Sequence, residues 1–385
     1  MDNLSNDSLF NKITWQRSGF FFLSLALFLL PFPRNWTLWP IGIFLFFSLI
    51  GWINNFSEIK SVKTVLSKYK LILLPPVLYF LIHFIYFLTG DGKWINVQER
   101  LLFILVPVVG LPLFTSDFLR KNIRYLLLAF ISGLIIISVF LLIHALIKSL
   151  TFSEGSVGFN QFIEPGISRF IWQGLSVVEH PTYLSLKILW AVALLLFADS
   201  ILKLRKIQTY FVLIFFIIML LLLSVRTELF LLILIITLFI VFRFRESRFR
   251  WIPLFLIPLL LISLFLVFRH NVRIAEQNSE LLASIKDEGK EWRNKDSRTR
   301  VWSSAIDLIR EKPLMGVGLC SRDSLVTEYV KNNYLNEAAA KLNAHNQYLE
   351  AQLAFGIPGT IILLWMLLNP FFSRKKSVLK DLAIP

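Results

Sequence analysis

The sequence predicts an all-α, polytopic membrane helix bundle of about ten spans with one large helical outer loop. Three observations carry this expectation. Of 385 residues, 56% are hydrophobic and only 17% are charged, where a soluble domain would carry about a quarter charged residues. The apolar residues gather in runs of roughly 17–25, the length of a helix that crosses ~30 Å of hydrocarbon with its backbone hydrogen bonds satisfied internally. The cations mostly flank those runs. The net charge of +15 therefore reads as membrane edges, and no nucleic-acid partner is expected.

The opening MDNLSNDSLF lacks the basic region of a cleavable signal, so the first apolar run reads as a retained span. Spans are expected at 18–33, 36–53, 71–90, 98–114, 124–147, 182–202, 208–225, 227–243, 251–268 and 347–370. The fourth is short and contains Pro107 and Pro112. The seventh and eighth are separated only by a tight turn at Arg226. With the N-terminus inside, twenty Lys and Arg fall on inner segments and five on the short outer connections. That asymmetry sets the orientation and puts both termini in the cytoplasm. Two outer segments exceed a turn: 149–181, with Gly, Ser, Pro and aromatics, and 269–346, with helical patterning of its own. Long loops in compact proteins are usually functional. The chain thus divides into a bundle of nine spans (1–268), a helical outer loop (269–346) and a last span with its tail (347–385).

Four segments carry candidate chemistry. In Ala344-His345-Asn346 through Gly356-Ile357-Pro358-Gly359, a continuous helix would align His345, Tyr348, Gln352, Gly356 and Gly359 on one stripe. The glycines would lie roughly 16–21 Å below His345 and admit a neighbouring helix. His345 would top that interface, either as a base for a hydroxyl near neutral pH or as an interfacial His bonded to a carbonyl. In Asp296-Ser297-Arg298-Thr299-Arg300-Val301-Trp302, Asp296 or Ser297 can cap an amphipathic helix. There Trp302 can hold the Arg298 guanidinium one turn away, or the arginines can simply be solvated. The helix should stop at Lys312-Pro313, before Gly316-Val317-Gly318, a turn too short to specify phosphate binding by itself. In Leu223-Ser224-Val225-Arg226-Thr227-Glu228, Arg226 sits at the outer edge of two apolar runs. It can face a headgroup, Glu228 or a substrate phosphate. His180-Pro181-Thr182 opens another span, with His180 either a polar group at the same face or a capping residue. Cys320, the only cysteine, excludes an intrachain disulfide and reads as packing, since nothing near it in sequence would activate it. No metal-ligand spacing is present.

These motifs together resemble the O-antigen ligase and O-antigen polymerase family of bacterial inner-membrane glycosyltransferases. The resemblance rests on His345-Asn346 followed by Gly356-Ile357-Pro358-Gly359, on Ser297-Arg298 with Trp302 and Pro313 through Gly318, and on Arg226 just after a span. It covers roughly residues 220–360, while the earlier spans match only in hydropathy. The family usually places one or two further spans after the His helix, a departure from this chain. The resemblance implies inverting glycan transfer at the periplasmic face with no metal or cofactor. The donor would be a glycan on undecaprenyl pyrophosphate, and the acceptor lipid A core, a growing glycan or a protein side chain. By position, His345 corresponds to the essential His, and Arg226 and Arg298 to pyrophosphate-binding arginines; Arg300, Trp302, His180 and Asn346 stand as supporting residues. Transport of a lipid-linked glycan is the alternative from another class. It would call for ionisable groups at mid-membrane, whereas the charges singled out here gather at one face.

Overall fold

The computed structural model describes residues 3–55, 59–90, 94–98, 100–153, 156–164, 167–244 and 297–372. The expected ninth span, the first part of the long loop with Asp296, and the tail after 372 lie outside the described residues. The chain forms two compact units. The first comprises Met1–Gly51, Pro112–His270 and Asp381–Pro385; the second comprises Trp52–Leu111 and Asn271–Lys380.

The helices of the first part of the chain are α1 (Asn3–Leu29), α2 (Arg34–Asn55) and α3 (Ile59–Leu88). Long helices follow as α7 (Asp117–Ser149), α8 (Pro181–Phe197), α10 (Lys206–Leu223) and α11 (Arg226–Phe244), with α9 (Asp199–Leu202) between α8 and α10. Among the described residues, five helices are long and apolar enough to span a membrane: Arg34–Asn54, Tyr69–Leu88, Asp117–Ser149, Lys206–Leu223 and Gln347–Asn369; Pro181–Phe197 is shorter but apolar. Large apolar side chains such as Trp39 (78% exposed) and Phe211 (75% exposed) face outward, as lipid-facing residues do and as a soluble surface seldom tolerates in number.

In the first unit, Ser116 caps α7 by accepting from the Leu119 N–H at 3.1 Å, satisfying one of the donors a helix start leaves orphaned. Leu134, Leu141, Leu184, Ile188, Val192 and Phe216, fully buried, form the core where α7, α8 and α10 meet. Lys187, within α8, is held by Glu179 at 2.7 Å and by the Leu30 carbonyl at 2.9 Å, so its charge is paired.

Two expectations are corrected. The fourth expected span is no single helix. It is broken into α4 (Trp94–Gln98), α5 (Leu102–Ile104), a π-helical turn (Leu105–Val109) and α6 (Leu111–Phe114), because Pro107 and Pro112 cannot donate to the helical ladder. The fold is also not purely helical. Segment 149–181 contains two antiparallel hairpins, β1 (Leu150–Ser153) with β2 (Ser156–Phe159) and β3 (Phe162–Glu164) with β4 (Ile167–Ser168). Their β-branched and aromatic residues suit extended backbone.

The second unit contains α3, α4 and α5 and, from later in the chain, α12 (Ser297–Glu311), α13 (Ser321–Lys331), α14 (Leu335–Ala339) and α15 (Gln347–Phe372). Pro75, inside α3, has no N–H for the Leu71 carbonyl four residues earlier. Asn369, from α15, donates its Nδ2 to that oxygen instead, which ties the two helices together. Val301, Ala305, Leu325, Tyr329, Ala344 and Leu353 form the core beneath α12, α13 and α15.

Candidate functional site

The site is organised by a break in α15. Gly356 adopts φ 63°, ψ −154° within the helix, and Pro358 has no N–H, so the helical ladder is interrupted there. The Leu353 and Ala354 carbonyls are freed. They accept from Val317 N (2.7 Å) and Gly318 N (2.9 Å), while Ile357 N and Gln352 Nε2 donate to Pro313 O (3.1 and 3.0 Å). The two glycine motifs of the sequence are therefore the two halves of one joint. A Cβ on Gly356 would come within 2.2 Å of Leu314 O, and one on Gly316 within 2.5 Å of Leu353 O, so each contact needs glycine. The joint bends the helix sharply: Thr360 Oγ1 donates to Gln352 Oε1 at 2.6 Å, across eight residues that would lie ~12 Å apart along a straight helix.

The joint settles the surroundings of the Gly-x-Gly turn, of Gly356 and of the start of α15. The Gly316-Val317-Gly318 amides are engaged by carbonyls and form no phosphate cradle. The atoms nearest an added Cβ are those of the Leu314–Met315 backbone at Gly356 and of Phe355 and Ala351 in the same helix at Gly359. His345 is not helical: α15 begins at Gln347, and Asn346 caps it by accepting from Tyr348 N (3.0 Å) and Leu349 N (3.3 Å).

His345 instead stands exposed on a pinned loop. Ala344, fully buried, donates its N–H to Glu350 Oε1 at 2.7 Å and accepts at its carbonyl from Trp302 Nε1 at 2.9 Å. Just before it, Lys341 O accepts from Arg322 Nε (2.8 Å) and Leu342 O from the Tyr329 hydroxyl (3.1 Å). Burial pushes the Tyr329 phenol up, with Glu350 and Glu337 adding to the effect, so it stays a donor. Lys341 and His345 both adopt left-handed backbone, each with φ 48°. Such conformations cost of order 1–3 kcal/mol and persist only when the surroundings fix them. The anchors at 341, 342 and 344 supply that constraint.

Arg298 lies exposed in the first turn of α12, one turn from Trp302, whose indole N–H is directed to the His345 loop. Arg300 is half-buried and committed elsewhere. Its Nε (3.0 Å) and Nη2 (2.5 Å) both donate to Glu337 Oε1, and Tyr334 lies 5.9 Å beneath its guanidinium carbon. Burial alone would push the Glu337 carboxyl up, but hydrogen bonds from Arg300, its own backbone and Ser297 outweigh it and hold the group below its ordinary value.

Beside this loop, the second unit contains a cleft of about 220 Å³. Its floor is Tyr79 and His83 of α3 with Ala354 and Phe355 of α15, all buried. The His83 ring packs on Phe355, centroids 4.4 Å apart, and its Nδ1–H donates to Tyr79 O at 2.7 Å. Arg100, Ser321 and Glu350 line its sides, and Asn343 and Gln347, exposed, form a rim on either side of His345. Glu350 is within electrostatic range of His345, Arg100 and Arg322. Sequence reasoning passed over the cleft residues. The available signals were an ionisable His83 inside an apolar run and Arg100 as one of few outer cations.

In the first unit, Arg226 is the first residue of α11, two residues after Ser224, which ends α10 in left-handed backbone (φ 50°). Glu228, two residues on, is 4% exposed, and its Oε2 has no hydrogen-bond partner among the described residues. His180 caps α8, its Nδ1 accepting from Thr182 N at 3.4 Å.

The long apolar helices mark the chain as a membrane protein. Residues 211–364 match the family model described as O-Antigen ligase, a stretch that includes Arg226, Arg298, His345 and both halves of the glycine joint. The match covers less than half of the chain and shows that this region is similar to O-antigen ligases. A stretch of 83 residues is also 30% identical to an uncharacterized protein of Haemophilus influenzae, spanning 21% of this chain and 21% of that one.

Proposed function

We propose that the protein transfers a glycan from undecaprenyl pyrophosphate to an acceptor hydroxyl at the periplasmic membrane face, acting as an O-antigen ligase on lipid A core. The observation that carries this reading is His345, held exposed by a loop pinned at both peptide groups of Ala344. The acceptor oxygen attacks the anomeric carbon of the first sugar as the bond from that carbon to the pyrophosphate oxygen breaks, inverting the centre. The hydroxyl proton passes to the His345 imidazole, and the lipid pyrophosphate leaves as the anion. Arg226 and Arg298 receive that pyrophosphate, since guanidinium binds phosphate oxygens bidentately and gains interaction as charge builds on the leaving group. The Trp302 bond to Ala344 couples the Arg298 helix to the His345 loop.

The test is reconstitution in proteoliposomes with a lipid-linked glycan donor and, separately, lipid A core, a donor glycan chain or a peptide as acceptor. Glycosylated core is the expected product. Lengthened glycan would make the protein a polymerase and glycosylated peptide a protein glycosyltransferase. Lipid-linked glycan crossing the bilayer with no covalent product would replace transfer with transport.

A further inference from the structure

We propose that the cleft formed by α3, Arg100 and the head of α15 is a pyranose subsite that holds the sugar ring of the acceptor; the inference rests on the transfer reaction proposed above. A pyranose ring has two apolar C–H faces and a girdle of hydroxyls that each donate and accept. The cleft has the matching division. Its floor is the buried aromatic group of Tyr79, His83 and Phe355, and its walls and rim carry side chains with fixed donors and acceptors: Asn343, Gln347, Ser321 and Glu350. Amide and carboxyl groups suit pairs of adjacent hydroxyls because each presents two hydrogen-bonding atoms in one plane.

Size and charge narrow the ligand further. At about 220 Å³ the cleft falls below the ~300–1,000 Å³ of sites for larger organic ligands, which suits one ring and not an extended glycan. Its one lining cation, Arg100, stands within range of the Glu350 carboxyl group. Arg322, the other cation in range of Glu350, donates its Nε to Lys341 O. A cation set against an acid is a poor cradle for pyrophosphate, so the cleft suits the neutral acceptor ring rather than the donor's phosphates. Position agrees: two residues of the cleft's rim, Asn343 and Gln347, stand two positions before and after His345 in the chain, so the cleft shares its rim with the segment that carries the imidazole proposed to take the proton.

The experiment is saturation-transfer NMR on the full chain in phosphatidylethanolamine–phosphatidylglycerol nanodiscs, which avoid sugar detergents. The probes are a panel of methyl hexopyranosides and heptopyranosides, with inorganic pyrophosphate as competitor. At least one glycoside should bind, should resist displacement by pyrophosphate, and should bind about three- to tenfold more weakly in Asn343→Ala or Gln347→Ala, the loss expected for one or two neutral hydrogen bonds. In transfer assays the same variants should raise the acceptor KM by a similar factor with the donor KM unchanged. Absence of glycoside binding to the wild-type chain, indifference to both substitutions, or displacement by pyrophosphate would overturn the subsite. Glycoside binding retained by His345→Gln supports it whatever that variant does in transfer, so failure of the proposed base and failure of the subsite give different results.

Discussion

His345 and Arg300 both come from the segment between residues 297 and 346 and answer to opposite demands. His345 is exposed, in a costly backbone conformation, with its flanking peptides fixed; that combination orients a side chain toward something outside the protein. General-base help is worth ~10²–10⁴-fold in rate. His345→Ala should therefore lower single-turnover transfer by about that factor while membrane insertion and donor binding persist. His345→Gln should fall as far; a near-wild-type rate with an unchanged pH profile would reduce His345 to an orienting role. Arg298→Lys keeps charge but loses the planar fork, so it should also cut transfer strongly at normal expression. Arg300 is different, because its fork is already occupied by Glu337, which is 3% exposed. Arg300→Met leaves a buried acid unpaired and should destabilise the protein by about 3–5 kcal/mol, read as a lower melting temperature in nanodiscs. Arg300→Met with Glu337→Leu should recover much of that loss. The Glu337 carboxyl is held below its ordinary value, so its contribution is present above the ordinary carboxylate range and is lost as pH falls through the folded value. The melting temperature of the double variant should therefore depend less on acid than that of the wild type.

The break in α15 shows where reading the sequence by periodicity succeeds and where it stops. Hydropathy locates the helix, since an apolar run announces itself residue by residue. It does not report that Gly356-Ile357-Pro358-Gly359 interrupts the ladder, because the partners of the freed carbonyls, Val317 and Gly318, lie some forty residues earlier. The same limit hid the cleft, whose walls come from α3, from Arg100 and from the head of α15. It also placed His345 on a helix that begins two residues later. The fourth expected span failed for a more local reason, the missing donors of Pro107 and Pro112. If the joint is built as described, Gly356→Ala combines a strained φ with a backbone clash and should cost about 2 kcal/mol or more. Gly42→Ala, inside α2 where an added Cβ meets nothing within 4 Å, should not lower the melting temperature, since alanine favours a helix over glycine. Equal effects of the two substitutions would mean that the break does not organise the head.

Orientation in the membrane decides whether the polar head can meet a periplasmic substrate, and the segment around α10 offers the cleanest test. α10 runs from Lys206 to Leu223, about 27 Å of helix at 1.5 Å per residue, close to the thickness of the hydrocarbon core. Lys203, Arg205 and Lys206 stand at its start, and Ser224 and Arg226 follow its end. On the positive-inside expectation, the excess of cations on the Lys203 side would put that end in the cytoplasm and Arg226 on the opposite face. The same expectation puts Arg243, at the end of α11, inside and the long loop outside. Reporter fusions after Arg205 and after Arg245 should report cytoplasm, and fusions within 280–295 should report periplasm. A 280–295 fusion that reports cytoplasm would put Arg298, His345 and the cleft on the side away from periplasmic acceptors, and transfer to lipid A core at this site would have to be abandoned.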